Sequence, residues 1–224
     1  MRPVELTPMR RAIGRRMAIS KREAPHVYFS AELELDAALA RVAALREQTG
    51  QRVTLTALLL RTTVVALTRH PALNAIWRDE ELLQAEEPNV GVAIALEDGL
   101  VAPAVFARDA GDVLSAARAL EDLVTRARGG RLRGAEMTEA TFTLSNLGMF
   151  EITSFIPIVT PPQVAILGIG KTLRLPRYEG DEIVPRSLAT ATVSADHRAL
   201  DGADVAHFLA TLKSTIEHPE ELDA

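Results

Sequence analysis

The sequence predicts an α+β fold, a mixed β-sheet flanked by helices. Three observations carry that expectation. Apolar residues recur at three- and four-residue spacing in some segments and alternate in others, so helices and strands are both present. Turn signals join neighbouring strand candidates as hairpins, which argues against strict βαβ alternation. Polar caps, prolines and glycines mark where segments begin and end. No internal repeat or low-complexity linker divides the 224 residues, so residues 1–224 are expected to form one domain. Hydrophobic residues make up 47% and charged residues 25%, an ordinary globular balance able to bury a sizeable core.

The elements follow in order. Pro8 to Ser20 reads as a basic amphipathic helix with Thr7 as its N-cap. Tyr28 to Leu35 alternates and reads as a strand. Asp36 caps a helix running to about Gln48 and ending near Gly50, and Thr54 opens another that stops at His70-Pro71. Asn89 to Leu96 is a buried strand candidate. Glu97-Asp98-Gly99 is a turn signal, so Leu100 to Phe106 is expected to pair back on it. Asp112 to Arg128 is the clearest amphipathic helix, with Val113, Leu114, Ala117, Leu120 and Val124 on one side and Gly129-Gly130 as its stop. Thr141–Ser145, Gln163–Gly170 and Ser187–Ser194 are later strands, and Asp201 to about Glu217 is the last helix.

Composition narrows the function. Twenty-five basic and 30 acidic residues give a net charge of −5, unlike the basic footprint of a nucleic-acid-binding chain. The chain has no cysteine, hence no disulfide framework, thiolate metal site or cysteine nucleophile. His26, His70, His197, His207 and His218 show no metal-ligand spacing. No apolar run approaches the ~18 residues of a membrane span, and the first residues do not read as a signal peptide. A cytoplasmic protein is expected, with no metal, nucleic-acid or membrane partner.

The most informative motif is Ser194-Ala195-Asp196-His197-Arg198-Ala199-Leu200-Asp201-Gly202. It sets a histidine between two acids at a strand-to-helix junction, where rigid elements can hold a catalytic group still. Histidine serves as acid or base near neutral pH. Gly168-Ile169-Gly170-Lys171-Thr172 looks like the end of a phosphate-binding loop, but Ala165 stands where that loop needs glycine. The two glycines are read instead as allowing close strand packing.

The motif around His197 resembles the active-site signature of the dihydrolipoamide acyltransferases, the core subunits of 2-oxo acid dehydrogenase complexes. The looser His-x-x-x-Asp-Gly form marks the chloramphenicol acetyltransferases, which share that fold. Five further blocks are similar to landmarks of the first family, in the family's order: Arg10 to Met17, Pro25-His26-Val27, Asp98 to Pro103, Phe142 to Phe150 and Pro161 to Gly168. The resemblance implies a chloramphenicol-acetyltransferase-like fold and acyl transfer, acetyl favoured, between dihydrolipoamide and coenzyme A. It implies His197 as general base, Asp201 in a structural, charge-pairing role, and Ser145 as oxyanion donor. Asn146 stands near the oxyanion or stabilises the turn before Gly148. His26 is a weaker binding candidate, and Leu100 and Met149 are channel walls or plain core. Asp196 and Arg198 are read as an ion pair shaping the turn.

The resemblance also implies that coenzyme A is a substrate and that the lipoyl group arrives on a separate domain or chain. Only Lys21, Lys171 and Lys213 are present, and none has a lipoylation context. The expected partners are the lipoyl carrier domain, the 2-oxo acid dehydrogenase and dihydrolipoamide dehydrogenase components, and further copies of the chain. In the family the site lies between subunits of a trimer. Two departures stand out. Glu151 replaces the glycine usual after Met-Phe, and the final residues His218 to Ala224 carry one large apolar side chain where the family has an apolar anchor. A trimer is therefore expected more than a cage. A small-molecule acceptor of the chloramphenicol acetyltransferase kind and an oligomeric scaffold with impaired activity are the alternatives.

Overall fold

The computed structural model describes residues 1–96 and 99–223. The chain opens with α1 (Pro8–Glu23), β1 (His26–Glu34), α2 (Asp36–Thr49) and α3 (Leu55–Arg69). Six short strands follow: β2 (Ala75–Arg78), β3 (Glu81–Gln84), β4 (Val90–Val92), β5 (Ile94–Leu96), β6 (Gly99–Val101) and β7 (Ala104–Val105). Then come α4 (Val113–Arg128), α5 (Gly134–Thr138), β8 (Phe142–Asn146), β9 (Ala165–Ile169), β10 (Leu173–Glu179), β11 (Glu182–Asp196) and α6 (Gly202–Glu217).

Helix starts follow local chemistry. Thr7 and Thr54 accept backbone N–H bonds from Arg10 and Ala57. Asp112 and Asp201 each form a reciprocal capping box, with Ser115 and Asp204 respectively. Asp36 departs from expectation: it is the first residue of α2 and caps nothing. Its carboxylate accepts the N–H and hydroxyl of Ser187 on β11, at 3.0 and 2.9 Å. The Ser187 bonds hold the Asp36 carboxyl below its usual range, against the opposing effect of burial.

A seven-stranded sheet runs β1-β11-β9-β8-β4-β7, with β10 beside β11. Pairing is antiparallel except for β9–β8 and β8–β4, which are parallel. The sheet is therefore mixed, as expected. The strand expected over Asn89–Leu96 breaks at Ala93. Val92 N–H bonds Pro103 while Ala93 N–H bonds Leu144, so β4 stays in the main sheet and β5 leaves to pair with β6. The expected return strand divides the same way: β6 pairs with β5 and β7 with β4. Of the turn between them, Glu97 and Asp98 lie outside the described residues.

Period-two alternation sorts the sheet into two faces. Phe142 and Leu144 of β8, Leu167 and Ile169 of β9, Ala191, Val193 and Ala195 of β11, and Leu33 of β1 join one core with the helices. Phe142 meets Phe208 of α6 with ring centroids 5.7 Å apart, and replacing either buried ring by alanine should cost roughly 3–5 kcal/mol. The opposite face carries Thr143, Ser145, Thr192, Ser194, Ser30 and Asp196. The irregular segment 151–163 crosses it, held by Ser194 Oγ donating to Pro157 C=O and Ser20 Oγ to Val159 C=O, both at 2.6 Å.

Candidate active site

Ser145 lies on the polar face of β8, buried at 8% exposure. It lines a cleft of about 370 Å³ whose walls include Ile94, Leu100, Leu120, Val124 and Met149. Its hydroxyl has no hydrogen-bond partner among the described residues, so its proton can be offered to a ligand. Leu100 and Met149 are 48% and 75% exposed; they are cleft walls and not core. Asn146 also lines the cleft. Its Oδ1 accepts the Gly148 N–H at 2.9 Å and its Nδ2 donates to Thr56 Oγ1 at 3.2 Å. Asn146 thus braces the turn while facing the cleft.

The turn matters because Glu151 follows it. Glu151 adopts the left-handed conformation, φ 61°, where a glycine fits without strain. Its carboxylate pairs with Lys171 Nζ at 2.5 Å, and Lys171 N–H donates to Ile152 C=O at 2.7 Å. The segment then presses on β9. A side chain at Gly168 would meet the Phe155 ring at 2.9 Å, and one at Gly170 would run into the Thr153 carbonyl. Gly168 thus makes room for an aromatic ring and Gly170 for a loop carbonyl, so the close packing is against this irregular segment and not against a neighbouring strand as expected.

His197 sits where β11 turns toward α6, exposed to solvent. The turn is over-determined. His197 N–H donates to Pro25 C=O at 2.9 Å, and Asp196 N–H to Val164 C=O at 2.8 Å. Asp196 is 2% exposed. Its carboxylate takes a forked pair of bonds from Arg198 and the Arg198 N–H. The Asp196 hydrogen bonds hold the Arg198 guanidinium above its ordinary pKa, against burial. The same guanidinium lies 4.9 Å from the Trp77 ring centroid. The ion pair read from the sequence is present.

Asp201 has the structural part of its expected role. It forms no arginine pair and no hydrogen bond to the His197 ring among the described residues. Its Oδ1 accepts the N–H groups of Ala203 and Asp204 at 2.8 and 3.0 Å. Those bonds hold its carboxyl below the usual range, and the nearby His197 ring adds to the effect. Asp201 is the post on which α6 begins.

His26 departs from the binding role. Nδ1 bonds Ala24 C=O at 2.8 Å and Nε2 bonds the Val159 N–H at 3.1 Å. Both ring nitrogens are engaged inside the chain, so neither is left for a ligand. Nothing local in the sequence signals this, because Val159 lies far along the chain.

Ser145 and His197 do not meet within one chain. In register Ser145 pairs with Gly168, and Gly168 with Thr192. His197 lies five residues beyond Thr192, two strands over, toward the other end of the sheet. Strand spacing and rise put the two roughly 19 Å apart.

The family model for 2-oxoacid dehydrogenases acyltransferase (catalytic domain) matches residues 1–223. The chain is 34% identical over 219 residues to the dihydrolipoyllysine-residue acetyltransferase component of the Zymomonas mobilis pyruvate dehydrogenase complex, covering 96% of this chain and 50% of that one. It is 33% identical over 227 residues to the corresponding component of the Bacillus subtilis acetoin cleaving system, covering 98% and 56%. The chain spans about half the length of the curated relatives it matches. Among solved structures, Azotobacter vinelandii dihydrolipoamide acetyltransferase superposes with a TM-score of 0.93 at 27% identity, covering 99% of this chain and 93% of that one. The catalytic mechanism of that protein was investigated through a serine, a histidine and an asparagine. They are spaced along it as Ser145, His197 and Asp201 are here. Chloramphenicol acetyltransferase, TM-score 0.62 at 15% identity over 90% of this chain and 94% of that one, shares the fold.

Proposed function

The chain belongs to the family of 2-oxoacid dehydrogenase acyltransferase catalytic domains, and we propose that it moves an acyl group, acetyl favoured, between dihydrolipoamide and coenzyme A. The observation that carries the proposal is a hydroxyl, Ser145, unpartnered among the described residues and lining an apolar cleft, together with an exposed histidine on a turn held by the Asp196 and His197 backbone bonds and by the Arg198 N–H on the Asp196 carboxylate. The matched spacing with the Azotobacter protein supports the same two residues.

In this mechanism the imidazole of His197 removes the proton from the attacking thiol, whose ordinary pKa is about 8.5. The thiolate adds to the carbonyl carbon of the thioester on the other carrier. Ser145 Oγ–H donates to the resulting oxyanion. Collapse breaks the original carbon–sulfur bond, and the proton held by His197 returns to the departing sulfur. No bond to the protein forms, and acyl group, proton and electrons balance between the two thiols.

The site is composite, with Ser145 of one protomer facing His197 of its neighbour in a homotrimer. The separation of the two within a chain supports this. So do the exposed apolar side chains of Met149 and Phe150, which line the cleft, and of Ile152 and Ile156 on the segment that follows, of the kind that marks an interaction surface. The chain acts as one catalytic domain, takes its acyl group from a lipoyl carrier, and works beside 2-oxo acid dehydrogenase and dihydrolipoamide dehydrogenase components in the cytoplasm.

The test is transfer from acetyl-CoA to free dihydrolipoamide by the wild type and by His197→Ala. Transfer that vanishes in the variant is expected. A well-assembled wild type that transfers neither acetyl nor propionyl, isobutyryl or succinyl groups would overturn the reading.

A further inference from the structure

The joint between α1 and β1 holds the backbone of His197. Ala24 is buried and extended, φ −95° and ψ 114°, as a residue before proline must be. Pro25 presents its carbonyl to the His197 N–H at 2.9 Å. His26 stands opposite Asp196 in the β1–β11 register. Its ring folds back over Pro25, so that Nδ1 reaches Ala24 C=O at 2.8 Å. That bond closes a small loop around the peptide that carries the Pro25 carbonyl.

The ring state follows from its partners. Ala24 C=O can only accept, so Nδ1 bears the proton. The Val159 N–H can only donate, so Nε2 accepts. The ring therefore ties the Ala24–Pro25 joint to the segment crossing the polar face. Val159 in turn accepts from Ser20 of α1, and Pro161 from Arg16.

We propose that His26 is a positioning residue for His197, acting through the Nδ1–Ala24 bond that aims the Pro25 carbonyl at the His197 backbone. It touches neither substrate. The proposal rests on His197 being the base of the acyl transfer described above. Small displacements of a catalytic group cost rate and leave substrate binding alone.

Two variants separate the two nitrogens. The side-chain amide nitrogen of His26→Asn takes the place of Nδ1 and keeps the donation to Ala24. The terminal amide of His26→Gln reaches the place of Nε2 and keeps acceptance from Val159. Steady-state kinetics with acetyl-CoA and dihydrolipoamide, on variants with wild-type assembly mass, is the measurement. His26→Asn should stay near wild type. His26→Gln should lose on the order of tenfold or more in kcat with both KM values unchanged. The reverse order would overturn the proposal, because the Val159 bond would then be the one that matters. Equal rates in both, equal losses in both, or losses carried by KM would overturn it as well. A wild type without transfer, or a fully active His197→Ala, would instead sink the acyl-transfer reading itself.

Discussion

Glu151 and Lys171 form an ion pair across the turn that follows Ser145, and Glu151 is a non-glycine residue in left-handed backbone. The Glu151 side chain is 81% exposed, and an ion pair that open contributes little. The backbone conformation opposes it by about 1–2 kcal/mol. Glu151→Gly should therefore raise stability by about 1 kcal/mol, read as a thermal midpoint about 2–4 °C higher. A lower midpoint would mean that the Lys171 contact is the dominant effect.

Ser145→Ala removes no hydrogen bond among the described residues, so its fold and midpoint should match the wild type. Its kcat should fall by roughly 10²–10³ if the hydroxyl steadies the oxyanion. Circular dichroism and initial rates on one preparation check both halves.

Mixing tests the composite site. Ser145→Ala and His197→Ala chains, each inactive alone, should regain activity when co-assembled, because some interfaces then carry both intact residues. Random trimers at equal ratio should recover about a quarter of the wild-type rate. No recovery in mixed assemblies verified by mass would contradict a shared site.

Asp201→Ala should lower stability by uncapping α6. Asp201→Asn should keep the cap, since an amide oxygen accepts the Ala203 and Asp204 N–H groups equally well, and the Azotobacter protein has asparagine at this spacing. Chemical denaturation separates the two variants.

Acid should weaken the fold in two stages. Burial holds His70 below its ordinary 6.5, with His207 and Arg69 adding to it. The unfolded chain then binds this proton more readily than the folded one, so stability present above 6.5 is lost as pH falls below it. Asp36, Asp112 and Glu136 have lowered carboxyl pKa values. Ser187 and Ser115 bonds cause the first two; for Glu136, burial alone would raise the value but Arg126 and the Arg133 N–H outweigh it. Their contribution is complete above the ordinary carboxylate range and disappears as pH drops through the folded values. Urea midpoints from pH 8 to 3 should show both declines, and His70→Gln should flatten the first.

Much of this was legible in the sequence because the chemistry was local. Thr7, Thr54, Asp112 and Asp201 announce helices through side chains that bond their own next turn. The alternation of β1 shows which residues face the helices. The motifs single out Ser145 and His197. What was not legible depended on distant partners. The hairpin β2–β3 and the small helix α5 are short and lack a clear period. The outer half of β11 and its partner β10 pair through a turn at Gly180 inside a run too polar to read as strand. Asp36 has a capping residue's chemistry, but Ser187 reaches its carboxylate. His26 looks like a ligand-binding histidine until Val159, distant in sequence, occupies its second nitrogen.

The two-faced pleat of β8 acts as a reading frame. Phe142 and Leu144 face the helices, while Thr143 and Ser145 face the other way. Losing or gaining one residue within 142–146 would exchange the faces, driving the serine into the apolar core and a leucine into the cleft. A two-residue change would keep the face but slide the hydroxyl by about 7 Å. Length variation should therefore gather in the turns between strands, and this five-residue stretch should tolerate substitution far better than insertion.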